Sequence, residues 1–281
     1  MIVGFGENSV DIVYRLPALP QPGPGSKMRI EDRAVRCGGQ VATTLATCAA
    51  LGLPTRYIGA FGNDDHGTLI RSELTRRGVD VSRALIRAAP NRSAVILIDG
   101  ARGERIVLWD RDPRLALTPA DVDREWLAGA TLLHVDATDE EAAVALARLA
   151  RHAGIPVTCD VDQVTPRTRE LLDAVTLPVL AEQLPLALTG SRDLETALRT
   201  IRQPHHTHVV VTRGARGAAM LVDGRYLEAP GVPVNPVDTT GAGDVFRGAL
   251  IAALLRGDRP GEMLRFANAT AAASCLRPGA M

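Results

Sequence analysis

The densest chemistry lies near the end of the chain, in Val237-Asp238-Thr239-Thr240-Gly241-Ala242-Gly243-Asp244-Val245-Phe246. Gly241 and Gly243 stand just before an apolar run, Val245, Phe246, Ala249, Leu250, Ala253 and Leu254, that repeats at helical spacing. Two glycines free the backbone to bend, so several N–H groups can turn toward one point at the first turn of that helix. Such a helix start attracts anions through its free donors and its macrodipole. Asp244 sits at the same spot and has two readings: a cap of the helix, or a base held beside a bound phosphate.

Three further glycine-bearing turns have chemistry open to them. Gly4-Phe5-Gly6, with Asn8 and Asp11 behind it, looks like the start of a dinucleotide-binding Gly-x-Gly-x-x-Gly. The third position is Ser9, however, and a Pro-rich stretch follows where that motif needs a helix. Gly38-Gly39 opens a helix and admits either a ligand or a close-packed neighbour. Thr212-Arg213-Gly214-Ala215-Arg216-Gly217 ends a strand, as a ligand turn or as a plain hairpin. No Gly-x-x-x-x-Gly-Lys-Ser/Thr occurs, which excludes a Walker-type ATPase. Lys27 is the only lysine, so no other catalytic lysine is available. His205, His206 and His208 lack Cys or carboxylate company and read as a solvated strand entry, not a metal site.

The elements that position these turns alternate. Short apolar strands are predicted at Met1 to Phe5, Thr55 to Gly59, Leu132 to Val135, Val157 to Asp160, Val175 to Leu180 and His208 to Thr212. Helices are predicted at Gln40 to Leu51, Asp64 to Arg77, Asp139 to Ala153, Ala242 to Leu255 and Gly261 to Cys275, with Gly52 and Gly78 as stops. This rhythm predicts an α/β fold: a doubly wound, mostly parallel sheet covered by helices on both faces. Met220 to Val222 and Arg225 to Glu228 flank an Asp-Gly turn, an antiparallel hairpin closing the sheet. The extended segments at about 12–36, with a Pro/Gly-rich stretch from Leu16-Pro17 to Pro24-Gly25, and at 93–109 do not fit a parallel core. They are expected to form a small separate β-sheet lid over the crevice at the strand ends.

With 281 residues, 46% hydrophobic and 23% charged, the chain suits one large α/β domain, 1–281, with a sizeable core. A net charge of +0 gives no pull toward nucleic acid or anionic membranes. Scattered Cys37, Cys48, Cys159 and Cys275 read as reduced thiols, and no apolar run is long enough to span a bilayer. The expectation is a soluble, cytoplasmic protein.

In this order, the motifs resemble those of the ribokinase-like (PfkB) carbohydrate kinases. The carrying residues are Gly38-Gly39-Gln40-Val41-Ala42, Ala50-Leu51-Gly52, Ile58-Gly59, Gly62-x-Asp64-x-x-Gly67, Thr212-x-Gly214-x-x-Gly217 and Asp238-Thr239-Thr240-Gly241-Ala242-Gly243-Asp244-x-Phe246-x-Gly248. The resemblance implies ATP-dependent phosphorylation of a sugar hydroxyl, with Mg²⁺ accompanying the nucleotide. It assigns Asp244 as catalytic base and Gly241, Ala242 and Gly243 as anion hole. Asp11, Gly38 and Gly39 fall at positions that hold sugar hydroxyls, with Thr43 beside them and Arg105 in the lid. Thr212, Gly214, Gly217 and Asn268 fall around the nucleotide. Asp238 and Thr240 match positions that hold a monovalent cation, K⁺, in many members, and homodimers through the lid are common.

Three departures accompany this. Thr43 replaces an asparagine usual after the Gly-Gly pair. The family's Asn-x-x-Glu, which helps organise Mg²⁺, appears as Ala181-Glu182-Gln183-Leu184, leaving Glu182 as its stand-in. The chain ends at Met281, where relatives run on through a further helix, which bears on the cation site. The rival readings are a nucleoside kinase of the same fold, with 3% aromatic residues arguing mildly against a base-stacking pocket, and a catalytically weak sugar- or nucleotide-binding regulator.

Overall fold

The computed structural model describes residues 1–21, 23, 27–101, 104–279 and 281. Pro24-Gly25 of the Pro/Gly-rich stretch lies outside the described residues.

The chain opens with β1 (Ile2–Phe5), β2 (Ser9–Leu16), β3 (Asp32–Gly38) and helix α1 (Gln40–Ala50). Next come β4 (Thr55–Ile58), β5 (Ala60–Gly62), α2 (Asp65–Arg76), β6 (Val79–Asp80) and β7 (Leu85–Arg87). The middle holds β8 (Ser93–Asp99), β9 (Arg105–Asp110), β10 (Leu132–Asp136), α3 (Glu140–His152), β11 (Val157–Val161), α4 (Thr168–Ala174) and β12 (Leu177–Ala181). Helices α5 (Gln183–Thr189) and α6 (Leu194–Ile201) lead to β13 (His208–Thr212), β14 (Ala218–Val222) and β15 (Arg225–Ala229). Helices α7 (Ala242–Arg256) and α8 (Pro260–Ser274) follow.

Among the described residues, nine strands form one sheet in the order β15-β14-β13-β12-β11-β10-β1-β4-β6. Its pairings are parallel from β13 to β6 and antiparallel from β13 to β15. Buried on both faces, its central strands β10 to β14 are apolar at most consecutive positions. Val209 and Val211 pack beneath α3 and α6, whereas Val210 packs beneath α7 and α8. Each such side chain contributes roughly 1.5–3 kcal/mol by burial. Helices α1 and α2 cover the β1–β4–β6 end of that second face. The helices α1 and α7 cross so closely that a Cβ on Gly248 would lie 2.6 Å from Thr47 Cβ.

A second sheet, β3-β2-β8-β9, gathers the two segments set apart in the sequence. It is mixed: β2 pairs with β8 in parallel and with β3 antiparallel. One face carries rows Arg36–Asp11–Ala94–Trp109, Ala34–Val13–Ile96–Val107 and Asp32–Arg15–Ile98–Arg105. The opposite face carries Val35–Ile12–Val95–Leu108 and Arg33–Tyr14–Leu97–Ile106, with Val35, Ile106 and Leu108 exposed. The Gly62-x-Asp64-x-x-Gly67 motif proves architectural. Asp64 caps α2 by accepting from Gly67 N at 2.9 Å and also accepts from Asn91 N at 3.1 Å.

The histidine cluster departs from the expected solvated entry. His206 is buried, its Nε2 2.7 Å from Leu172 O and its Nδ1 accepting from Gln203 N. It ties the loop before β13 to α4.

Candidate active site

Gly241 is the N-cap of α7, at φ 71°, a left-handed conformation that favours glycine, and no side chain caps this helix. Asp244 is therefore a first-turn residue rather than the cap. The N–H groups of Gly243 and Asp244 lie in the turn that has no intrahelical acceptors, so the helix start is free to receive an anion.

Behind that turn lies a cluster of buried charge. Arg247, one turn further along α7, forms an ion pair with Asp160 at the end of β11. Burial pushes the Asp160 carboxyl up to about 6, against the opposing pull of Arg247. Burial likewise drives Asp244 well above the usual carboxylate range, and the neighbouring charge of Asp160 pushes the same way while Arg247 opposes it. Asp136, ending β10, accepts from Glu7 N at 2.7 Å and Thr138 N at 2.9 Å, and burial with Glu7 nearby raises it to about 7. Thr44 Oγ1 on α1 donates to Asp244 O at 3.2 Å, tying the two helix starts together. Asp136, Asp160 and Arg247 were not among the residues singled out from sequence. Their signal was an acid ending each apolar strand, and one arginine inside an apolar helix.

Two cavities flank the Pro236–Gly243 segment. The first, of about 670 Å³, lies under the inner face of the second sheet and is lined by Asp11, Arg15, Arg36, Arg105, Asp238 and Thr240 among others. Burial raises Asp11, which accepts from Ser9 Oγ at 2.7 Å. Arg105 NH1 donates to Thr240 Oγ1 at 3.3 Å, joining β9 to the turn before α7. Gly38 lies behind Asp11: a Cβ there would be 3.0 Å from Asp11 Oδ2. Gly39, at φ 99°, packs where a Cβ would meet Asn8 Cα at 2.5 Å, so chain packing alone requires it.

The second cavity, of about 460 Å³, is lined by Thr212, Gly214, Gly217, Ala242, Gly243 and Asn268 among others. Asn268 spends its amide hydrogens on Ala229 O and Pro230 O, at 3.1 and 3.0 Å, and so fixes the cavity's far wall. The two cavities share Pro236 and Thr239.

Thr43, Glu182 and Asp238 have other company than the resemblance implies. Thr43 is fully buried and its hydroxyl has no hydrogen-bond partner, so it lines neither cavity. Glu182 pairs with Arg213 at 3.2 Å and with Arg216. Among the described residues no three His, Cys, Asp or Glu side chains are grouped to hold a metal ion. Asp238 does not fit a monovalent cation, because Arg36 NH1 already lies 2.5 Å from its Oδ2.

The family model for pfkB carbohydrate kinases matches residues 1–281. The ATP-dependent ribose-1-phosphate kinase of Halopiger xanaduensis is 29% identical over 285 residues, spanning 99% of this chain and 93% of that protein. Acarbose 7(IV)-phosphotransferase of an Actinoplanes species is 31% identical over 99% of this chain and 92% of its own length. Arabidopsis thaliana ribokinase is 30% identical over 98% of this chain and 76% of its own length. Its structure with ribose and ATP superposes with a TM-score of 0.86, covering 99% of this chain and 93% of that one. The doubly wound sheet, its helices and the smaller second sheet are thus a ribokinase-like fold, and the chain belongs to the pfkB family of carbohydrate kinases.

Proposed function

We propose that this sugar kinase transfers the γ-phosphoryl group of ATP to a hydroxyl of a sugar or sugar-like acceptor, with Asp244 as general base. The observation that carries this reading is the shared wall: one cavity on each side of Pro236–Gly243, with the free helix start and Asp244 at its end. The nucleotide occupies the cavity of Thr212, Gly214, Gly217 and Asn268, and the acceptor the cavity of Asp11 and Arg105, with Gly38 packed behind Asp11. Asp11 holds acceptor hydroxyls, and the second sheet closes as a lid, excluding water that would otherwise hydrolyse ATP.

The acceptor O–H gives its proton to Asp244 as its oxygen attacks the γ-phosphorus. The bond from that phosphorus to the bridging oxygen breaks, and ADP leaves with the electron pair. Charge gathering on the transferring group is met by the free N–H donors of Gly243 and Asp244 and by the helix dipole. Such a reaction asks mainly for positioning and charge stabilisation. The nucleotide enters as its magnesium complex, the ion screening the phosphate charge. With no group of three His, Cys, Asp or Glu side chains among the described residues, such an ion would be held mainly by the nucleotide itself, and the chain's part would be to position the phosphates at the Gly241–Asp244 turn.

Asp244→Asn separates base from binding. Turnover is expected to fall by about 10²–10⁴, with ATP affinity by calorimetry nearly unchanged. Unchanged turnover with a competent acceptor would remove Asp244 from the role. A coupled ATP-consumption screen over sugars, sugar phosphates and nucleosides identifies the acceptor class, and turnover with nucleosides alone would replace sugar as acceptor.

A further inference from the structure

Asp238 lies three residues before Gly241, the N-cap of α7, and its carboxylate is held by partners within the chain. Its Oδ1 accepts from Thr240 N at 2.9 Å, and its Oδ2 from Gly279 N at 2.9 Å. The same Oδ2 lies 2.5 Å from Arg36 NH1 on β3. The pair is largely removed from water, with the side chains 25% and 13% exposed. Arg36 stands opposite Asp11 in the β2–β3 register, on the face of the second sheet that lines the first cavity, and its ion pair is with Asp238.

A monovalent cation at Asp238 would have to displace this guanidinium or sit beside it against like-charge repulsion. Arginine is charged at any working pH and binds carboxylate more directionally than a hydrated ion. We propose that Arg36 is a built-in replacement for the monovalent cation, making turnover independent of K⁺ and holding the Asp238–Thr240 turn in shape from the lid strand. This rests on the kinase reading above and makes Arg36 a positioning residue.

The test needs first only the unaltered protein, in potassium, sodium or tetramethylammonium chloride at equal ionic strength. Melting temperature and ATP affinity by calorimetry are expected to be the same in all three salts, and kcat/KM the same within about twofold. Potassium-specific stabilisation, tighter ATP binding or tenfold activation would overturn the proposal. These first two readouts hold even if no sugar proves to be an acceptor, so failure of the kinase reading is distinguishable. Arg36→Met is then expected to lose at least tenfold in kcat/KM in tetramethylammonium, while Arg36→Lys, which keeps a cation, retains most of it. Full turnover in Arg36→Met, or equal loss in both variants, would also overturn it.

Discussion

Arg247 NH2 lies 2.6 Å from Asp160 Oδ1, in an ion pair whose side chains are only 5% and 1% exposed. Its other terminal nitrogen reaches under the anion turn, 2.8 Å from where a Cβ on Gly243 would stand. A buried charge without its partner is costly, so this pair fixes both the end of β11 and the first turn of α7. Arg247→Met leaves Asp160 buried beside Asp244 without its countercharge. It is expected to cost about 3–5 kcal/mol of stability, read from urea unfolding. Adding Asp160→Asn to that variant should recover part of the loss, and a double variant no more stable than the single one would contradict this account.

The same cluster sets the pH at which the proposed base can act. Asp244 accepts a proton only when ionised, and its carboxyl lies well above the ordinary value. Turnover is thus lost as pH falls through that raised value, and the acid limb of the kcat/KM profile should lie above the usual carboxylate range. Glu7 and Asp160 push Asp244 upward and Arg247 downward. Asp160→Asn should therefore move the limb to lower pH, and an unmoved limb would uncouple the pair.

Stability should show the opposite of the usual acid lability over part of the range. The folded protein holds protons on Asp136 up to about 7 and on Asp160 up to about 6, against an ordinary value of 3.8. The stability these protons contribute is fully present below about 3.8 and lost as pH rises through 6 to 7. Asp136→Asn should flatten this slope between pH 5 and 8 in denaturant titrations.

Thr43 offers a test of where the acceptor site begins. A buried, unpartnered hydroxyl costs roughly 1–3 kcal/mol, and valine has nearly the same shape. Thr43→Val is expected to raise stability by about 1 kcal/mol and leave the acceptor KM unchanged. A tenfold rise in that KM would bring the hydroxyl into contact with the sugar.

The outer face of the second sheet leaves Val35, Ile106 and Leu108 exposed, and neighbouring exposed apolar side chains favour self-association. Light scattering is expected to find a dimer that Leu108→Glu converts to monomer. A monomeric unaltered protein would remove that expectation.

The parts legible in the sequence were those fixed by few neighbouring residues. Gly241 and Gly243 dictate a backbone turn whatever surrounds them, and Gly52 and Gly78 stop α1 and α2 at positive φ. Strand β12 was placed early, from Val175, because Val175 is buried like the strand it precedes. What stayed hidden depends on register across long stretches of chain. Arg36 reaches Asp238 over 202 positions, and β2 pairs in parallel with β8, which no local period reveals. Asp136 and Asp160 look like ordinary strand ends until β10 and β11 align them side by side beneath α7. Helices α4, α5 and α6 span seven or eight residues each, too few for periodicity to separate them from loop.

The segment that carries Pro236 and Thr239 belongs to both cavities at once. Whatever ordering the first occupant imposes on it is already in place when the second arrives, so the entropy of ordering it is lost once rather than twice. By linkage, any gain in affinity is the same whichever molecule comes first. On the proposed assignment of the cavities, this shared wall would couple the binding of donor and acceptor.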